Sequence, residues 1–124
     1  MIVVTGSVTA RQETFEEVER LSLEHVLRSR KEPGCVSHGV HRDVENPLRI
    51  VFLEEWSDRA ALVVHFAVPA SQEFSKAVAK LAAAPTTLRV YEGERSESRD
   101  LRGRRRPASW RAFSLNDGEG TISP

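Results

Sequence analysis

Four consecutive apolar residues at positions 50–53, Ile-Val-Phe-Leu, constrain the fold of this chain more than any other feature. They lie within residues 49–56, a short segment rich in β-branched and aromatic side chains, which predicts a strand. Side chains alternate between the two faces of a sheet, so an uninterrupted apolar run predicts burial of both faces. A chain of 124 residues has too few elements to cover both faces itself. We therefore expect a second subunit to cover one of them.

The elements around this strand predict a specific topology. The predicted strands cover residues 1–9, 35–43, 49–56 and 86–93. A helix with Thr9 as its N-cap is predicted between the first two strands. A second helical segment, capped by Ser57, runs to Ala84 and is split at Pro69. The order β-α-β-β-α-β predicts an α+β, ferredoxin-like fold, a four-stranded antiparallel sheet with helices on one face.

The first helix is predicted from apolar residues that recur every three or four positions. This apolar stripe consists of Phe15, Val18, Leu21, Leu23, Val26 and Leu27. His25 falls outside the stripe and is predicted to be exposed. The Glu-Pro-Gly sequence at 32–34 is predicted to end the helix.

Composition limits the classes of partner. The 18 basic and 18 acidic side chains give no net charge, so no global field favours nucleic acid or an anionic membrane. Cys35 is the only cysteine, which excludes an internal disulfide. The N-terminus lacks the basic leader of a signal peptide, and no apolar stretch approaches the ~20 residues of a spanning helix. We expect a soluble, cytoplasmic protein that binds neither membrane nor nucleic acid.

A change in composition after residue 93 predicts two parts. Residues 1–93 form the predicted domain, and residues 94–124 form a C-terminal extension rich in Arg, Ser, Gly and Asp. This extension is expected to be disordered or to dock on the body or on a partner, with Trp110 and Phe113 as anchors. The arginine-rich residues 102–107 are expected to be solvated or paired with acidic neighbours, rather than to bind nucleic acid.

An ordered series of short motifs lies within residues 32–74. It contains Glu-Pro-Gly-Cys at 32–35, Arg42-Asp43, Asn46-Pro47, Glu55-Trp56, and His65 followed by Pro69. This series resembles the antibiotic biosynthesis monooxygenase (ABM) domain family. The resemblance implies a dimeric α/β barrel, a homodimer in which two sheets pack face to face. It also implies oxygenation of an aromatic phenol, quinol or polyketide-like small molecule, with neither metal nor other cofactor.

The same resemblance implies the catalytic residues. In the family, the position of His65 faces a cavity between sheet and helices, and an imidazole there can exchange protons near pH 7. The predicted catalytic residues are His65, as base or hydrogen-bond donor, and Glu54, which shares a strand face with Trp56 by alternation. The alternative is that His65 is a structural histidine, hydrogen-bonded where the helix meets the sheet.

Four residues are predicted to bind the substrate. Trp56 is expected to wall the pocket, or else to be a core residue. His38 is expected to line the cavity, or else to be an ordinary sheet histidine, and either Glu54 or His38 is expected to orient His65. Phe66 and Thr5 complete the set. No metal site is predicted, because His38 and His41 lie three residues apart on a strand and point to opposite faces.

One departure from the family pattern leaves other functions open. Many quinol-oxygenating relatives carry a second histidine directly after the proline, where this chain has Ala70 and Ser71. The absence of that second histidine removes a candidate base. The alternatives are a non-catalytic small-molecule-binding or structural dimer, and an isomerase or cyclase that works by acid–base chemistry.

Overall fold

The computed structural model describes residues 1–102. The predictions for Trp110, Phe113 and the arginines after Arg102 lie outside the described residues. The chain divides into two units after Gly93. In the second unit, the described residues contain one short helix, Ser98–Leu101. Within residues 1–102, no helix has both the length and the apolar character needed to cross a bilayer.

The first unit has the predicted α+β, ferredoxin-like fold. Its elements are β1 (Ile2–Thr9), α1 (Phe15–Ser29), β2 (Cys35–Arg42), β3 (Arg49–Trp56), α2 (Arg59–Ala67), α3 (Pro69–Leu81) and β4 (Thr87–Glu92). The four strands form an antiparallel sheet in the order β2-β3-β1-β4. The predicted topology is therefore confirmed.

Alternation along β1 and β3 separates the two faces of the sheet. Ile50, Phe52, Glu54 and Trp56 are all buried, whereas the residues between them are more exposed. On β1, Val4 is buried opposite Glu54 and opposite Val90 of β4. The core on this side joins sheet residues to helix residues in two clusters, one around Val8, Val18, Val26, Ile50, Phe52 and Val78, the other around Ile2, Val4, Trp56 and Leu62. The helices thus cover one face of the sheet.

The predicted N-caps of α1 and α2 are both wrong. Thr9 ends β1, and Thr14 is the N-cap of α1. Asp58, not Ser57, caps α2, because its carboxylate accepts a hydrogen bond from the Ala61 N–H at 2.8 Å. Pro69 begins α3 as its first residue, where the missing N–H costs no helical hydrogen bond. The predicted split at Pro69 is correct.

The buried face of α1 also differs from the predicted stripe. Its buried residues are Val18, Ser22, His25, Val26 and Ser29. Leu23 and Leu27, assigned to the stripe from their hydrophobicity, are each 48% exposed. The face that α1 buries therefore includes Ser22, His25 and Ser29, and the Ser29 hydroxyl donates to the His25 carbonyl at 2.6 Å. The prediction that His25 is exposed is therefore wrong.

A bulge at the start of β2 changes which residues share the face of His38. The register shifts between Cys35 and Ser37, so Cys35 lies opposite Trp56 and His38 lies opposite Glu54. Cys35 packs against the cluster that contains Trp56. Val36, expected on the same face as His38, is 60% exposed.

The other face of the sheet, here called the outer face, carries Val3, Thr5, Val51, Leu53 and Tyr91 at matching register positions. Leu53 and Tyr91 are about half exposed, and Val51 is half-buried. Within residues 1–93, helices α1, α2 and α3 pack on the opposite face. Within that unit, no helix covers the apolar side chains of residues 50–53 that lie on the outer face.

Candidate functional site

A cavity of about 390 Å³ opens between the helix-covered face of the sheet and helices α1, α2 and α3. Its volume is within the range of small-molecule sites. Its wall combines aromatic side chains with a few polar groups, among them Phe52, Glu54, His25, His65, Phe66, Ser71 and Phe74. Apolar and aromatic walls with a few polar groups are typical of small-molecule sites.

His65 is held at the cavity wall by a carboxylate from a distant part of the chain. Its Nδ1 lies 2.9 Å from Glu32 Oε1, and both side chains are largely buried. A carboxylate can only accept a hydrogen bond, so the Nδ1–H of His65 is the donor. A neutral ring in this tautomer keeps its lone pair on Nε2. The pair therefore fixes which nitrogen of His65 can take up a proton.

Glu54 is a buried carboxylate in the same wall. The indole N–H of Trp56 donates to Glu54 Oε1 at 2.9 Å. The Nε2 atom of His38 lies 3.2 Å from the same oxygen, close enough for an ionic contact but outside hydrogen-bond geometry. Burial acts to raise the pKa of Glu54, but the adjacent His38 and Trp56 outweigh it and leave this pKa below its ordinary value. Glu54 is thus a fixed negative charge.

His25 joins the site from α1. Its ring stacks on Phe74 with centroids 4.1 Å apart. Burial, reinforced by the nearby rings of His38 and His65 and by Arg28, lowers the pKa of His25 to about 3. At neutral pH this ring is an uncharged imidazole.

The structure places the six predicted site residues in three different environments. His65, Glu54 and Phe66 line the cavity. Trp56 is fully buried behind it, with its ring centroid 4.6 Å from that of His65. His38 lies beside Trp56 and Glu54 and is also buried behind the cavity wall. These two residues support the wall rather than line it.

Thr5 is separated from this cavity by the sheet. It pairs with Leu53 and Arg89, while its neighbours Val4 and Gly6 are buried on the helix-covered side. Strand alternation therefore directs Thr5 to the outer face. Thr5 therefore does not line this cavity, and its contact with a ligand stays a prediction.

Sequence reasoning does not identify Glu32 or His25 as residues of the site. Glu32 belongs to the helix-ending turn and to the Glu-Pro-Gly-Cys motif, and nothing local indicates a contact 33 positions away. For His25 a signal exists, because positions 18, 22, 25 and 29 repeat every three to four residues. Two of those positions are serines, so hydrophobicity alone did not identify the buried face.

Cys35 has the properties of a structural thiol. Burial raises its pKa, and the negative charges of Glu54 and Glu32 act in the same direction. A thiol held in the protonated form is a poor nucleophile. Nucleophilic catalysis by this residue is therefore disfavoured.

Comparison with known proteins places this site in a family. Residues 1–77, more than half of the chain, match the family model for antibiotic biosynthesis monooxygenase. An uncharacterized protein of Synechocystis, sll1783, is 35% identical over 91 residues, which make up 73% of this chain. The aligned part spans 62% of the length of that relative.

Solved structures share the fold over the same region. The crystal structure of an antibiotic biosynthesis monooxygenase superposes with a TM-score of 0.71 at 27% identity, covering 77% of this chain and 100% of that one. A conserved protein from Methanosarcina mazei gives a TM-score of 0.71 at 26% identity, covering 75% of this chain and 92% of that one. The chain belongs to the antibiotic biosynthesis monooxygenase family.

Proposed function

We propose that this chain is a cofactor-independent monooxygenase that oxidises a phenolic, quinol-like or polyketide-like aromatic molecule in the cavity. The observation that carries the proposal is the buried Glu32–His65 pair at the cavity wall. A carboxylate that orients an imidazole is the arrangement by which many enzymes hold a general base. Family membership supports the reaction class, and the aromatic wall supports the substrate class.

The proposed mechanism begins with proton transfer from the phenol to His65 Nε2. The resulting phenolate is electron-rich, so it can react with dioxygen directly. A ring carbon of the phenolate bonds to dioxygen, the O–O bond then breaks, and the same carbon loses its hydrogen as a proton. One oxygen atom stays on that carbon, so the phenol becomes a quinone. The other leaves as water, with the C–H proton and the phenol proton that His65 returns. The substrate supplies all the electrons that reduce dioxygen, so the balance needs no external reductant.

Each surrounding residue has a role in this mechanism. Glu32 sets the tautomer of His65 and stabilises the imidazolium that forms. Glu54, held by Trp56 and flanked by His38, orients the polar end of the substrate. Phe66 and Phe74 contact the flat faces of the ring.

The functional unit is proposed to be a homodimer joined through the outer face. Val51, Leu53 and Tyr91 would bury their apolar surface against the same residues of a second copy. The resemblance to the antibiotic biosynthesis monooxygenase family implies the same arrangement. Charge does not oppose the association, since the formal net charge is zero.

Oxygen uptake with a panel of quinols and anthrone-like phenols tests the proposal, in buffer containing EDTA. Wild-type protein should consume dioxygen with at least one phenol. His65→Ala should reduce the rate by about 10²- to 10⁴-fold, the usual contribution of a general base. His41→Ala is the matched control, because His41 is an exposed strand histidine outside the cavity. Unchanged uptake by His65→Ala would rule out the proposed base.

The same assay separates the alternatives. The position of the missing second histidine is occupied by Ala70 and the buried Ser71, which favours binding without catalysis. Binding of a phenol without consumption of dioxygen would support the alternative of a non-catalytic small-molecule-binding dimer. Turnover that continues without dioxygen identifies an acid–base isomerase or cyclase.

A further inference from the structure

Three histidines from three different elements meet beneath the cavity. His25 belongs to α1, His38 to β2 and His65 to α2, and all three are buried. One ring nitrogen from each lies within 4.8 Å of the other two. No local motif indicates this cluster, because His25 and His38 are 13 positions apart and His38 and His65 are 27 positions apart.

From this geometry we propose that His25, His38 and His65 bind one divalent transition-metal ion. Imidazole nitrogens are preferred ligands of Zn²⁺, Co²⁺, Ni²⁺ and Cu²⁺. Three protein ligands leave a fourth position open, which here lies on the cavity side, where His25, His65 and Glu54 form the wall. The inference goes beyond the proposed function, and its binding tests do not depend on it.

The spacing of the three rings fits a tetrahedral site. The ring centroids are 5.3 Å apart for His25–His38, 5.3 Å for His25–His65 and 5.7 Å for His38–His65. Metal–nitrogen distances of 2.0–2.1 Å and tetrahedral angles place the centroids of two ligating imidazoles about 5.2 Å apart. The centroid separations are therefore close to those of rings that share one ion. The coordinating nitrogens lie within 4.8 Å of one another and must turn inward to the N–N distance of about 3.3 Å that a tetrahedral ion requires.

The hydrogen-bonding state of the rings independently indicates a ligand. The His38 side chain has no solvent exposure. Its Nε2 lies 3.2 Å from Glu54 Oε1 without hydrogen-bond geometry, and within residues 1–102 its Nδ1 has no hydrogen-bond partner. Such unpaired buried groups are costly. His65 donates its Nδ1–H to Glu32, the carboxylate–histidine arrangement that supports many metal ligands and leaves Nε2 to coordinate.

Charge around the cluster favours a cation but includes one competitor. The carboxylates of Glu32 and Glu54 lie beside His65 and His38. Against them, an Arg28 guanidinium nitrogen donates to His25 Nδ1 at 2.9 Å. This contact holds His25 in the tautomer with hydrogen on Nε2. Coordination through either nitrogen therefore requires Arg28 to release the ring.

The metal and the proposed catalytic base compete for the same lone pair. An ion on His65 Nε2 would prevent that nitrogen from accepting a proton from a phenol. Zn²⁺ should therefore inhibit the oxygen uptake proposed above, and EDTA should restore it. Activation by metal would instead overturn the cofactor-independent mechanism, while leaving the metal site itself supported.

Cobalt titration of the full chain, freed of metal with EDTA, tests the site directly. We expect one Co²⁺ per chain, with the visible absorption bands of a tetrahedral complex, displaced by Zn²⁺. His38→Gln should weaken binding by about 100-fold or more, since even residues that only support a ligand contribute 10- to 100-fold. His41→Gln is the matched control, an exposed histidine of the same strand. No cobalt bands, or equal losses in both variants, would overturn the site.

Arg28→Gln provides a test that loss of folding cannot imitate. Glutamine removes the positive charge and can accept a hydrogen bond from His25 Nδ1–H, so cobalt should bind more tightly by about 10-fold, a gain expected of an improved supporting contact. Unchanged or weaker binding would contradict the assignment of His25 as a ligand. Circular dichroism of each variant establishes that the fold is retained.

Discussion

Glu32 and His65 form a buried carboxylate–imidazole pair, with Oε1 2.9 Å from Nδ1, although 33 residues separate them in the chain. Glu32 lies in the turn that ends α1, and His65 lies in the last turn of α2. Their contact joins two separate motifs of the family-like series into one site. It also gives a physical reason for a glutamate at the start of the Glu-Pro-Gly-Cys sequence.

Glu32→Gln tests whether this pair matters for catalysis. Glutamine keeps the size of the side chain but removes the charge that stabilises the imidazolium. We expect kcat for oxygen uptake to fall by about 10- to 100-fold, with KM nearly unchanged, as for loss of a positioning residue. Steady-state kinetics provide the measurement. A change confined to KM would mean that Glu32 shapes the pocket without acting through His65.

Trp56→Phe tests the support of the buried Glu54. The substitution keeps an aromatic ring but removes the N–H that donates to Oε1. Leaving a buried carboxylate with one partner fewer should lower the free energy of unfolding by about 2 kcal/mol. Urea denaturation measures the change, with the fully exposed Val44→Ala as a control near zero. Equal stability of Trp56→Phe and wild type would show that a water molecule donates to Glu54 in place of the indole N–H.

Gly34→Ala tests the geometry of the turn that carries Glu32. Gly34 has a φ of 81°, and an added Cβ would lie 2.4 Å from the Ala61 Cβ at the start of α2. Backbone strain and this clash should together reduce stability by about 2 kcal/mol. Gly93→Ala is the matched control, because its Cβ would have no neighbour within 4 Å. Similar thermal unfolding of the two variants would argue that α2 moves away freely.

The backbone fold was predictable, but the arrangement of the site was only partly so. Strand alternation within β3 puts Glu54 on the same face as Ile50, Phe52 and Trp56. The sequence alone therefore predicts that Glu54 lies on the buried, helix-covered face. The burial of His25 depends on which face of α1 is buried, and that face includes two serines, Ser22 and Ser29, so hydrophobicity does not identify it. Glu32 meets His65 only through tertiary packing, which no local pattern encodes.

Leu53→Arg tests the proposed homodimer. Leu53 is 47% exposed on the outer face, opposite Thr5 of β1. A guanidinium at the centre of an apolar interface should convert the dimer into monomers in sedimentation equilibrium, because the buried charge would lack a partner. Val63→Arg, at a similarly exposed position of α2, should leave the dimer intact. A wild-type protein that sediments as a monomer would remove the proposed interface altogether.

The central claim is that the cavity takes a proton from a bound phenol through His65. The most direct measurement is the absorption spectrum of a nitrophenol bound to the protein, in EDTA, at a pH below the solution pKa of that phenol. The account predicts a phenolate spectrum with wild-type protein and a neutral phenol spectrum with His65→Gln. A neutral phenol spectrum in wild-type protein, at concentrations where binding is complete, would contradict it.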